Sequence, residues 1–174
     1  MQHKIEVIFP KITEGNCLEI TTKNEFDVCD SDIEPKRCYI KIDPNEEGQF
    51  TVNNPNEGNI YFLKMDKCLL FDYDVTHCDF AVFDSKTFCF VELSVSNKRN
   101  RRGKREKAIQ QLASTIELFL QSGIAFDEQK LEAIICFKAE KIYPSRSASN
   151  NESYLYFEAE FKAELLEGNQ KEFK

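Results

Sequence analysis

The segments HCDFAVFD (His77 to Asp84) and TFCFVELS (Thr87 to Ser94) decide how this chain folds. Each is β-branched, aromatic and Cys-containing on both faces, as strands covered on both sides are. Two carboxylates interrupt the pattern, Asp79 and Glu92. A two-residue loop at Ser85-Lys86 sets Asp84 opposite Thr87, and counting back along the pair places Asp79 opposite Glu92 and His77 opposite Ser94. Ser-Lys is not the Asn-Gly type that two-residue hairpins prefer, but a four-residue loop centred on it keeps the same register. Directly opposed side chains have Cβ atoms about 4.5–5.5 Å apart and share a face. Two anions would then sit together among Ala81, Phe83, Phe88 and Phe90, which desolvation and like-charge repulsion oppose. A divalent cation would remove that penalty, and hard oxygen ligands suit Mg²⁺.

An Asp on one strand, an acidic residue with its lysine two positions on in the next, and a following helix with a Gln resembles the core of the PD-(D/E)XK restriction-endonuclease-like superfamily. Asp79 matches the Asp, and Glu92-Leu93-Ser94 stands where the family has Glu-x-Lys. Gln110 or Gln111, followed by Leu112, matches the helix Gln of several branches. The resemblance covers residues 75 to 140. It implies a metal-dependent nuclease of bacterial-defence or restriction type, with Asp79, Glu92 and the Leu93 carbonyl holding Mg²⁺ or Mn²⁺. Gln111 would be a site residue of the following helix.

Ser94 departs from the pattern, since a hydroxyl cannot offset charge at a phosphate as a lysine does. Lys98, Lys104 and Lys107 are the nearest replacements, and in some branches this lysine has moved to the helix. Lys104, Lys107 and Gln111 share one helical face by their spacing. The alternative is a catalytically inactive nuclease-like fold serving as a nucleic-acid- or protein-binding subunit.

The run Lys98-Arg99-Asn100-Arg101-Arg102-Gly103-Lys104-Arg105-Glu106-Lys107 holds seven of the 23 basic residues and one of the 30 acidic ones. Its net charge is +6, against −13 over the rest of the chain. A polyanion is the natural ligand of such a block, which makes Lys98, Arg99, Arg101, Arg102, Lys104 and Arg105 the expected nucleic-acid contacts. A solvated loop balancing the acidic surface is the plainer reading. His77 is either a member of a metal shell beside Asp79 or a polar residue where a strand begins.

Composition frames the rest. The 174 residues, 41% hydrophobic with 15 Phe, suit one domain with a substantial core. It divides into a β-rich part (1–74), a nuclease-like core (75–140) and a loop with a C-terminal helix (141–174). Neither a signal-peptide pattern nor an apolar run of membrane-spanning length occurs, so a cytoplasmic protein without membrane contact is expected. The seven Cys are odd in number and lack CxxC spacing, which favours reduced, buried thiols.

The N-terminal part reads as strands at Lys4 to Phe9, Cys17 to Thr22, Arg37 to Ile42, Gln49 to Val52 and Ile60 to Phe71, without long helical periodicity. Glu57 or Asp74 could stand in for the extra acidic residue that many of these nucleases carry. Either is more simply a solvated loop carboxylate. Ala108, Leu112, Ile116 and Phe119 make an apolar face for a helix from Gly103 to Gln121, with Gly123 as its C-cap. Leu131 to Phe137 is a further buried strand, parallel to the one carrying Glu92 across the helical connection. Tyr154, Phe157, Phe161 and Leu165 recur at helical spacing to Gly168, although YLYFEAEF also alternates as a strand does. The expected fold is α+β, a mixed sheet flanked by helices.

Overall fold

The computed structural model describes residues 1–34, 36–70, 76–94, 101–137, 144–145 and 151–174. Asp74, Lys98, Arg99 and Asn100 lie outside them. Among these residues, two mixed sheets and four α-helices are formed. The larger sheet runs β1 (Leu18–Thr21), β5 (Ile60–Lys64), β6 (Phe80–Phe83), β7 (Thr87–Ser94), β8 (Lys130–Phe137) and β9 (Ala163–Glu167). Its strands are antiparallel from β1 to β7 and parallel from β7 to β9. The smaller sheet runs β10 (Gln170–Glu172), β4 (Phe50–Asn53), β2 (Glu25–Asp30) and β3 (Cys38–Ile40). The model is thus α+β with mixed sheets flanked by helices.

The hairpin has the register counted from the sequence, with Phe83 opposite Phe88 and Phe80 opposite Val91. Its Ser-Lys turn is held by a local device: the Asp84 carboxylate accepts the backbone N–H groups of Lys86 and Thr87 at 2.8 and 2.7 Å. An Asp can close a turn in this way.

Both faces of the hairpin are covered, and this explains its unbroken apolar character. On one face Phe83, Phe88 and Phe90 join Phe119 and Phe126 under α3 (Arg101–Gln121). Phe90 meets Phe119 edge to face with ring centres 5.2 Å apart. On the other face Phe80, Val82, Cys89 and Val91 pack against Phe26, Val28, Phe50 and Val52 of the smaller sheet. Each fully buried Phe is worth roughly 1.5–3 kcal/mol relative to exposure. Helix α3 ends as expected, with Gly123 at φ +88°. Gly123 N–H bonds Leu120 and Ile124 N–H bonds Phe119, closing the last turn in a Schellman arrangement.

Four expectations are corrected. Lys4 to Phe9 belongs to helix α1 (Gln2–Ile8), not a strand. Ile5, Phe9 and Ile12 are buried at helical intervals, and that stripe outweighs the local alternation. A four-residue helix, α2 (Lys11–Glu14), follows. The strand from Ile60 stops at Lys64, and a wound turn, Met65–Leu69, follows with Lys67 at φ +52°. The C-terminal helix α4 (Asn151–Phe161) stops before Lys162 at φ +53°, after which the chain becomes β9. Finally, the thiols are not all free: Cys17 and Cys68 form a disulfide, while Cys29, Cys38, Cys78, Cys89 and Cys136 are free and buried.

Candidate carboxylate site

The ladder between β6 and β7 ends at Phe80 and Val91, and Asp79 lies in a bend just before it. The chain from His77 to Asp79 has therefore lost its strand partners, and its backbone groups are satisfied from three sides. Helix α3 supplies two bonds: Gln111 Nε2 donates to the His77 carbonyl at 2.9 Å, and Cys78 N–H donates to Thr115 Oγ1 at 2.8 Å. The Met65–Leu69 turn supplies two more, since Met65 and Asp66 N–H both donate to the Asp79 carbonyl, at 3.0 and 3.2 Å. On β7, Leu93 N–H donates to Asp79 Oδ2 at 2.6 Å. Asp79 thus reaches Glu92 through a bend tied to α3, to the Met65–Leu69 turn and to β7, and not as a simple ladder pair.

The carboxyl groups of Asp79 and Glu92 lie within hydrogen-bonding reach of each other. Glu92 is only 7% exposed, and its Oε2 is buried without a hydrogen-bond partner. Burial, then the neighbouring Asp79 charge, pushes Glu92 up to about 10. Burial pushes Asp79 up to about 7, against the Leu93 N–H, which favours its charged form. Both shifts point the same way: burial and the neighbouring carboxylate favour the protonated form of the pair.

Asp66 is a third acidic residue at this end of the sheet, and sequence reasoning passed over it. It is the one carboxylate within the apolar run YFLKMDKCLLF, and the argument applied to Asp79 and Glu92 would have found it. Asp66 Oδ1 meets His77 Nε2 at 3.0 Å, and that bond holds the Asp66 carboxyl below its usual range. His77 thus faces Asp66. Among the described residues, no three His, Cys, Asp or Glu side chains gather to hold a metal ion. A cation at the pair would have Glu92, Asp79 and a backbone oxygen such as that of Leu93 as protein ligands, with water in its other positions. Mg²⁺ is commonly held by one or two carboxylates with waters and substrate phosphates. The unpartnered Glu92 oxygen fits this use.

Lys107 is exposed on α3, and its charge opposes the upward push on Glu92. Lys104 is half-buried, Gln110 is exposed, and Ser94 ends β7 opposite Phe137. Gln111 spends its amide N–H on His77, while its Oε1 is buried without a partner. The basic run divides by role. Arg105 forms a two-pronged ion pair with Glu167 at 2.5 and 2.9 Å, and its guanidinium lies 5.7 Å from the Phe137 ring centre. Arg101 lies closer to that ring, at 4.5 Å, and 3.8 Å from Glu167. Among the described residues, Arg102 pairs with Glu106 alone, on the exposed surface. Glu57 is exposed in its loop. A cavity of about 460 Å³ is lined by Met1, Lys4, Tyr61, Asp84 and Gln129. It adjoins the hairpin turn, at the opposite end of β6 and β7 from the carboxylates.

Compared with known proteins, the chain matches no family model, no curated protein and no solved structure. Among the described residues, no helix is long and apolar enough to cross a membrane.

Proposed function

We propose that the chain is a metal-dependent nuclease of PD-(D/E)XK type, with its site at Asp79 and Glu92. The observation that carries this reading is the buried, unpartnered Glu92 Oε2 beside a second carboxyl group. A core gains nothing from such a pair unless a cation or proton completes it. The antiparallel hairpin, the crossover through α3 and the parallel β8 support the same reading.

Asp79, Glu92 and the Leu93 carbonyl would hold Mg²⁺ or Mn²⁺. When bound, the ion supplies Lewis acidity to a phosphate and acidifies an attacking water. Lys107 takes over the charge-offsetting role that Ser94 cannot fill. Gln111 fixes the His77 carbonyl and so the path of the chain into Asp79. Lys104 and Arg102 carry the attraction for the phosphate backbone, while Arg101 and Arg105 hold α3 to the end of the sheet.

One observation favours the second reading, an inactive fold that binds nucleic acid or a protein. No lysine follows Glu92 on β7, and Lys107 stands exposed. Cleavage of mixed DNA and RNA with Mg²⁺ or Mn²⁺, by wild type, Glu92→Ala and Lys107→Ala, separates the two. Metal-dependent cleavage lost in Glu92→Ala establishes the nuclease. Salt-sensitive binding without cleavage establishes the binding subunit.

A further inference from the structure

Cys68 belongs to the Met65–Leu69 turn whose N–H groups hold the Asp79 carbonyl, and its disulfide joins that turn to Cys17, the residue before β1. The surroundings are shaped for the bond. A Cβ added at Gly15 would lie 2.7 Å from Cys17 Sγ and 3.5 Å from Cys68 Sγ, so the glycine makes room for the sulfur pair. Arg37 crosses the same joint, donating to the Lys67 carbonyl at 2.5 Å and to the Gly15 carbonyl at 3.2 Å. The link closes a separation of 51 residues, and Asp66, two residues from Cys68, carries the bond to His77.

We propose that the Cys17–Cys68 disulfide is a thiol-exchange site that locks the carboxylate pair in place, and that a dithiol reductant unlocks it. This rests on the carboxylate reading above. A thiolate of the reductant attacks one sulfur and breaks the Cys17–Cys68 bond, forming a mixed disulfide. The second reductant thiol then displaces the protein sulfur. Two electrons and two protons pass to Cys17 and Cys68, leaving two thiols, and the reductant departs as its own disulfide. Cys68 retains 7% exposure and Cys17 none, so attack falls on Cys68. Once freed, the Met65–Leu69 turn loosens its bonds to the Asp79 carbonyl, and Asp79 loses the two N–H groups of Met65 and Asp66 that hold it. By linkage, a cation on the pair must in turn oppose reduction.

The test is hydrogen exchange read by mass spectrometry on protein prepared without reductant, before and after dithiothreitol, with alkylation counting the free thiols. Reduction is expected to raise exchange over residues 64–70 and 77–80 about tenfold or more, while residues 83–90 at the turn end hold steady. Cys68→Ser should match reduced wild type and ignore the reductant. Mn²⁺ affinity should fall about tenfold in both. Unchanged exchange with both thiols freed overturns the proposal. So does a uniform rise across the sheet, which would make the bond a general staple, or a Cys17–Cys68 pair that no oxidant joins. A local rise in exchange with no Mn²⁺ binding in either state upholds the lock and overturns the metal reading.

Discussion

Asp79 accepts the backbone N–H of Leu93 on its side chain at 2.6 Å, so a carboxylate stands in for the ladder partner that β7 loses where β6 ends. The acceptor is as necessary as the charge is costly, and substitutions can separate the two. Asp79→Asn keeps an acceptor and removes a like charge beside Glu92, so its stability at pH 8 should equal or exceed that of wild type. Asp79→Ala leaves the Leu93 N–H unpaired and should cost about 1–3 kcal/mol relative to Asn. Urea unfolding of the two variants measures the difference.

The pair also sets a pH dependence. Both carboxyl groups have folded-state values above the ordinary range, so the folded protein keeps protons that the unfolded chain has released. Their contribution to stability is fully present below about pH 4 and is lost as pH rises, through about 7 for Asp79 and on toward about 10 for Glu92. The slope should approach 1.4 kcal/mol per pH unit for each proton, roughly, without divalent cations. Thermal unfolding from pH 5 to 9 should show this fall, and Glu92→Gln should flatten it.

Thr115 is wholly buried, accepting Cys78 N–H and donating to the Gln111 carbonyl at 2.7 Å. Thr115→Val keeps the shape and strands the Cys78 N–H, which should cost about 1–3 kcal/mol. Thr115→Ser should cost less. Denaturation midpoints of the two variants test this, and exchange of the Cys78 amide locates the damage.

The hairpin register was legible because burial on both faces leaves Phe80–Phe83 and Thr87–Ser94 no other use for their apolar residues. The carboxylate pair followed from that register by counting. Less legible was the bend at Asp79, because its partners, Thr115, Gln111 and the Met65–Leu69 turn, come from distant parts of the chain. The disulfide was hidden for the same reason: Cys17 and Cys68 are joined by tertiary contact, with no spacing to mark them. Strand β2 escaped notice because Glu25, Asp27 and Asp30 dilute its alternation, and β10 because it is polar throughout. Helix α1 is not legible locally because IEVIF is a short apolar run that suits a strand equally well, while its helical stripe is completed only by Ile12.

The basic run should separate in the same manner. Arg105 is held between Glu167 and Phe137, so Arg105→Ala should destabilise the fold by about 1–3 kcal/mol through loss of a partly buried pair. Arg102 is exposed and paired with Glu106, and its removal should leave stability within about 0.5 kcal/mol. If the run binds nucleic acid, Arg102→Ala should lower the salt slope of binding by about one. Urea unfolding and binding at several salt concentrations give both answers.

In the proposed site a divalent cation replaces the proton that burial favours on Asp79 and Glu92. Calorimetric titration of Mn²⁺ into the protein at pH 7.5, in two buffers of different ionisation enthalpy, measures the protons released. About one proton should be released per ion bound, and both binding and release should be lost in Glu92→Gln. Binding without proton release, or binding unchanged in Glu92→Gln, overturns the proposed site.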